Sequence, residues 1–173
     1  MQVGGEAPDI GKAGTVEPET AAAIGALLRA QRIAALGTLH RGQPFVSMVP
    51  FALRPNGEAL VIHVSRLATH TQDMIREPRV SLMVLATTAP DVPPQATARL
   101  TIQADACACP PDHALHDEAK RLYLERFPDS APMLEFADFM LFVLRPVSAR
   151  WVGGFGKATS LLPPKLFEAL RSP

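Results

Sequence analysis

Residues 97–106 read Thr-Ala-Arg-Leu-Thr-Ile-Gln-Ala-Asp-Ala. Ala98, Leu100, Ile102 and Ala104 fall on one side of an extended chain, and Thr97, Arg99, Thr101 and Gln103 on the other. A strict period of two marks a strand with one face in a core. Its polar face is free to meet solvent or a second subunit. Working outward from this stretch, extended segments are expected at 33–39, 45–53, 59–64, 80–86, 138–144 and 147–152. Residues 40–44 read as a turn, and Arg54-Pro55-Asn56-Gly57 as a hairpin connection. Pro50 cannot donate to a ladder, which places 45–53 at an edge or a bulge. Arg145-Pro146 reads as a hinge between the last two strands.

Helices interrupt these strands without alternating with them. Residues 18–31 begin with Pro18 flanked by Glu17 and Glu19, and carry Ile24, Leu27 and Leu28 on one face. Residues 67–77 form a second helix, with Thr69 and Gln72 at capping-box spacing. A third is expected from Pro110-Pro111-Asp112 to near Phe127-Pro128, and a short one over 165–170. A doubly wound sheet needs regular strand–helix alternation, so the pattern favours a mainly β domain with flanking helices, a small closed antiparallel barrel.

The chain has 173 residues, enough for one domain. Residues 1–15 are rich in Gly and polar residues and read as a mobile lead-in, leaving 16–173 as the domain. Lys plus Arg is 17 and Asp plus Glu is 17, for zero net charge. That balance excludes a globally basic nucleic-acid binder. No apolar run approaches the ~20 residues of a membrane-spanning helix. The apolar stretch 21–28 follows Glu17-Pro18-Glu19, where a secretory signal would carry a basic cluster, so the expected compartment is the cytoplasm. Cys107 and Cys109 share one strand face, poorly placed to bridge each other, and read as buried thiols.

Three stretches could carry chemistry. Ser65-Arg66-Leu67-Ala68-Thr69-His70-Thr71-Gln72 leaves a strand and enters a helix. Hydroxyls, an Arg and a His beside free helix-start N–H groups suit a phosphate, although ordinary capping accounts for the same residues. Trp151-Val152-Gly153-Gly154-Phe155-Gly156-Lys157-Ala158 offers close backbone approach, a flat ring and a cation. It is not a P-loop, since Ala158 follows the lysine. His113 and His116 have metal-ligand spacing but no evident third ligand, and read as an exposed helix start. No metal site and no general acid or base is assigned.

The order of these elements, with Ser65-Arg66-Leu67-Ala68-x-His70-Thr71, Glu77-Pro78-Arg79-Val80-Ser81-Leu82 and Val152-Gly153-Gly154-Phe155-Gly156-Lys157-Ala158, resembles the pyridoxamine-phosphate-oxidase-like flavoproteins, and within them the heme-utilisation branch. The resemblance covers about residues 19–158. It implies a split β-barrel homodimer with two FMN molecules at the subunit interface. By position, Ser47, Met48 and Val49 would lie along the flavin ring. Val64, Ser65 and Arg66, with His70 and Thr71, would hold the phosphate and ribityl chain. Arg99 would approach from the other subunit, and Trp151 and Lys157 would close the site.

Three functions follow as expectations. The first is an FMN-dependent oxidoreductase of unknown substrate, with the flavin carrying the electrons. The second is a heme-binding or heme-degrading protein on the same barrel. The third is a non-enzymatic carrier of flavin or deazaflavin.

Overall fold

The computed structural model describes residues 16–55, 57–88, 90–155 and 157–171. The expected lead-in, residues 1–15, lies outside them. Helix α1 (Pro18–Ala30) has proline in its first turn and Glu19 at its positive end. Strands β1 (Ile33–His40) and β2 (Gln43–Pro50) follow. Their turn is only Arg41-Gly42, both with positive φ, 52° and 77°. That twist matches a tight hairpin and lets Gln43 and Pro44, expected in the turn, join the strand. Next come β3 (Ala52–Leu53), β4 (Leu60–Ser65), α2 (Thr69–Arg76), β5 (Arg79–Leu85) and β6 (Arg99–Cys109). The chain ends with α3 (His116–Arg126), β7 (Phe139–Val152), β8 (Ala158–Leu161) and α4 (Pro163–Arg171).

The strands form one sheet in the order β2-β1-β5-β6-β7-β4-β3, with β8 added to β7. All pairings are antiparallel. The two outermost strands, β2 and β3, are consecutive in the chain and separated by Phe51 alone. A sheet whose opposite edges lie one residue apart must curl back on itself. The result is a barrel with a seam, bridged by the kinked chain at Pro50-Phe51 where a fully closed barrel would have a ladder. Phe51 is fully buried there, and its N–H donates to the Arg32 carbonyl at 3.1 Å. Pro50 thus sits on an edge strand, as its missing donor requires.

The expected hinge at Arg145-Pro146 is absent, and β7 runs unbroken for 14 residues. The register opposite slips between Gln103, paired with Ser148, and Ala104, paired with Pro146. This bulge leaves Val147 over and accommodates the proline without ending the strand. Residues 100–104 alternate as their sequence demands, with Leu100 and Ile102 fully buried and Gln103 exposed.

Two cores result. The larger packs Ile24, Leu36, Phe51, Ile62, Leu82, Leu100, Ile102 and Phe142 inside the barrel, together with α1 and α4. The smaller packs Val61, Cys109, Tyr123, Phe127, Leu141 and Val143 beneath α3. Strand β4 is buried on both faces, which explains its apolar run, interrupted only by the buried His63. Each fully buried Leu, Ile or Phe contributes about 1.5–3 kcal/mol. Arg126 joins the cores at the surface. Its guanidinium donates to the carbonyls of Leu28, Arg29 and Gln31 at the end of α1 and stacks over Phe51. At Gly57, where φ is +73°, a Cβ would lie 2.6 Å from Leu170 Cβ, so helix α4 closes directly on the β3–β4 turn.

Candidate functional site

The turn from β4 into α2 is held by its own side chains. The Ser65 hydroxyl accepts the Leu67 N–H at 3.2 Å, and the Ser65 carbonyl accepts the Thr71 hydroxyl at 2.7 Å. The expected capping box does not form. Ala68 is the N-cap, and Gln72 donates back to the Arg66 carbonyl at 2.7 Å. Thr71 is fully buried, so its hydroxyl ties the turn. Val49 and Val64 lie in the barrel core, while Met48 and the Arg66 side chain are exposed.

Two predicted residues stand out by what they lack. Ser47 Oγ and His70 Nε2 are buried atoms with no hydrogen-bond partner among the described residues. Buried polar groups are nearly always paired, so such atoms mark a place where another molecule's polar groups fit. Burial lowers the His70 pKa, and the carboxylate of Asp73 one turn later partly offsets this. The His70 imidazole in the first turn of α2 suits the oxygens of a carboxylate or phosphate, as does the Ser47 hydroxyl on β2. The donor set therefore fits the acidic groups of heme and of FMN alike.

The remaining predicted residues lie elsewhere. Arg99 begins β6 and donates to the Thr97 carbonyl at 3.1 Å. Trp151 is buried in the barrel core. A Cβ at Gly153 would lie 2.8 Å from the Trp151 indole nitrogen, which explains a glycine there. Lys157 is exposed in the β7–β8 turn. Ser65 pairs with Phe139 at the start of β7, whereas Arg99 pairs with Val152 at its end. At ~3.3 Å per residue these two groups are about 40 Å apart along the strand. One chain does not bring them together.

Sequence reading missed a polar cluster built on a buried carboxylate. Asp73, 1% exposed on α2, accepts the Thr38 hydroxyl at 3.0 Å and contacts His40 Nδ1 at 2.9 Å. Both partners are on β1, so the cluster pins α2 to the sheet beside His70. No sequence pattern announces a pair 33 residues apart.

A second missed cluster joins two features treated separately above. His113 places Nδ1 3.4 Å from Cys109 Sγ and Nε2 4.0 Å from Cys107 Sγ. His116 Nδ1 meets the Cys109 carbonyl at 2.9 Å. These imidazoles are partly buried, so this is not the exposed helix start expected from the sequence. Burial and the neighbouring Cys107 push the Cys109 thiol pKa up. Among the described residues no group of three such side chains is placed to hold a metal ion.

Away from both clusters, a cavity of about 540 Å³ lies on the outer sheet face, lined by Leu39, Arg79, Ser81, Gln103, Asp105 and Val147 among others. Ile33, Val46, Met48 and Leu85 are exposed on that same face, Val46 to 69% and Met48 to 58%. None of the described helices is long and apolar enough to cross a membrane.

Comparison with known proteins agrees with this architecture. Heme oxygenase HutZ of Vibrio cholerae is 33% identical over 119 residues, 68% of this chain and 66% of that protein. The chloroplastic non-canonical heme oxygenase HOZ of Arabidopsis thaliana is 32% identical over 121 residues, 69% of this chain and 35% of that protein. The chain thus spans less than two thirds of either relative. A heme binding protein from Mycobacterium smegmatis superposes with a TM-score of 0.78 at 28% identity, over 89% of this chain and 62% of that one. The family model for pyridoxamine 5'-phosphate oxidase matches residues 20–152. With the seamed barrel and the turn at Ser65 in place, the chain belongs to the pyridoxamine 5'-phosphate oxidase family.

Proposed function

We propose that this chain binds heme, at a site completed by a second copy of itself. The observation that carries this reading is the likeness to two heme oxygenases, at 33% and 32% identity over more than two thirds of the chain. The unpartnered Ser47 Oγ and His70 Nε2 support it, since they offer donors to a carboxylate such as a heme propionate. Phe45, on the same face of β2, supplies apolar surface. When bound, heme supplies redox chemistry; the chain's residues bind it, orient it and limit access of water.

The second copy follows from the separation along β7. A single site using both Ser65–His70 and Arg99–Lys157 draws one group from each of two chains. The uncovered apolar residues Ile33, Val46, Met48 and Leu85 give that copy a face to cover. Sedimentation equilibrium should return a dimer mass, and a monomer at micromolar concentration would remove this part of the reading.

Titrating ferric heme into the full chain tests the binding. A new Soret band saturating at one heme per chain is expected, and a shallow, unsaturable rise would defeat the reading. FMN is the second reading, favoured because the unpartnered His70 Nε2, in the first turn of α2, fits a phosphate. An FMN-dependent oxidoreductase would copurify yellow, quench flavin fluorescence on titration and oxidise a reduced nicotinamide. A carrier of flavin or deazaflavin would bind without turnover.

A further inference from the structure

Resting on the heme reading above, we propose that His40 is the residue this chain offers to heme iron, with Asp73 as the positioning residue that presents it. A metal-ligating imidazole almost always has its other ring nitrogen held by a carboxylate or carbonyl, which fixes the ring and strengthens the ligand. His40 has this arrangement. Its Nδ1 is 2.9 Å from Asp73 Oδ1, while Thr38 donates to Oδ2 at 3.0 Å. With its proton on Nδ1, His40 joins Thr38 as a donor to Asp73 and keeps the Nε2 lone pair for a metal. Its Nε2 makes no hydrogen bond among the described residues, and the side chain is 36% exposed. The ring of Phe45 lies 6.0 Å away, centroid to centroid. The arrangement is also joined to the candidate site, because Asp73 follows His70 by one turn of α2 and acts on it electrostatically.

The other histidines are less suited. His63 is enclosed between Tyr123 and Phe139, and only 7% exposed. His113 has both ring nitrogens against thiols, with Nδ1 also accepting the Leu115 N–H. His70 Nε2 is buried. His116 is the one rival, with Nδ1 on a backbone carbonyl. It opens α3, beside the smaller core, and serves as the comparison.

The test is a ferric heme titration of the full-length protein and its variants. It is read by the Soret band and, after reduction, by the iron–histidine stretching band in resonance Raman spectra. The wild type should bind saturably and show that band. His40→Gly should lose it and regain it when free imidazole is added. His40→Gln, which keeps a donor to Asp73, should lose it as well and serves where the glycine variant loses its fold. Asp73→Asn should keep the band at lower frequency, with affinity weakened roughly tenfold or more. His116→Gln should match the wild type. A band that survives in both His40 variants, or that disappears in His116→Gln, overturns the assignment and leaves heme binding standing. A wild type without saturable binding overturns the heme reading itself, and His40's role with it.

Discussion

His63 makes the stability of this fold depend on pH in a calculable way. The residue is on β4, buried on the α3 side, with ring centroids 5.5 Å from Tyr123 and 5.0 Å from Phe139. No charged partner compensates for the loss of water, so burial lowers its pKa from 6.5 to about 4. The folded protein therefore holds fewer protons than the unfolded chain between those values. Its contribution is fully present above pH 6.5 and is lost as pH falls toward 4. At about 1.4 kcal/mol per unit the ceiling is about 3 kcal/mol, of which about 2 kcal/mol is lost by pH 5. His63→Phe keeps a ring of similar size and removes the titration. Urea unfolding of both proteins at about pH 7.5 and about pH 5 isolates the effect, because every other titrating group is shared and cancels. The wild type should lose about 2 kcal/mol more than the variant between the two conditions. Equal losses would show that the site is hydrated enough to charge in place, and the enclosed aromatic contact would no longer explain a neutral imidazole.

Other outcomes follow from named contacts. Gly42→Ala, at φ +77° with nothing within 4 Å of the added carbon, should cost about 1–2 kcal/mol of backbone strain alone. Gly57→Ala adds a collision with Leu170 at 2.6 Å and should cost about 3 kcal/mol or more, seen as a lower thermal midpoint. Arg126→Met removes the donors to three carbonyls at the end of α1 while keeping apolar cover over Phe51. It should cost about 1–3 kcal/mol by chemical denaturation. His70, lowered by burial in the free chain, must take up a proton to hold an anionic ligand well. Affinity for such a ligand should begin to fall below pH 6.5, as pH rises past the lowered His70 pKa, and His70→Ala should flatten that dependence in a titration series.

Much of the barrel is legible because local pattern and tertiary environment agree. The alternation at Leu100, Ile102 and Ala104, the proline entry of α1 and the edge position of Pro50 need no long-range information. Misreadings arise where partners far away decide. Pro146 looks like a hinge until a bulge at Val147 of β7, opposite Gln103 and Ala104, accommodates it. Residues 158–161 show no alternation and become β8 only by pairing with β7. Helix α3 begins at His116 because the preceding residues form successive turns, with the His113 and His116 N–H groups on the Pro110 and His113 carbonyls. Of the candidate site, Ser65–Thr71 is readable as a strand-to-helix turn since its bonds are local. The Asp73–His40 contact is not, because it depends on how α2 lies over β1.

The single residue between β2 and β3 carries a consequence for engineering and for natural variation. Inserting one amino acid beside Phe51 would invert which side chains of Ala52 and Leu53 face inward against β4 while leaving β2 untouched. Length changes in the β4–α2 or β5–β6 connections impose no such inversion. The barrel's tolerance of indels should therefore be lowest at its narrowest covalent crossing, and libraries that vary loop length have reason to keep that position fixed.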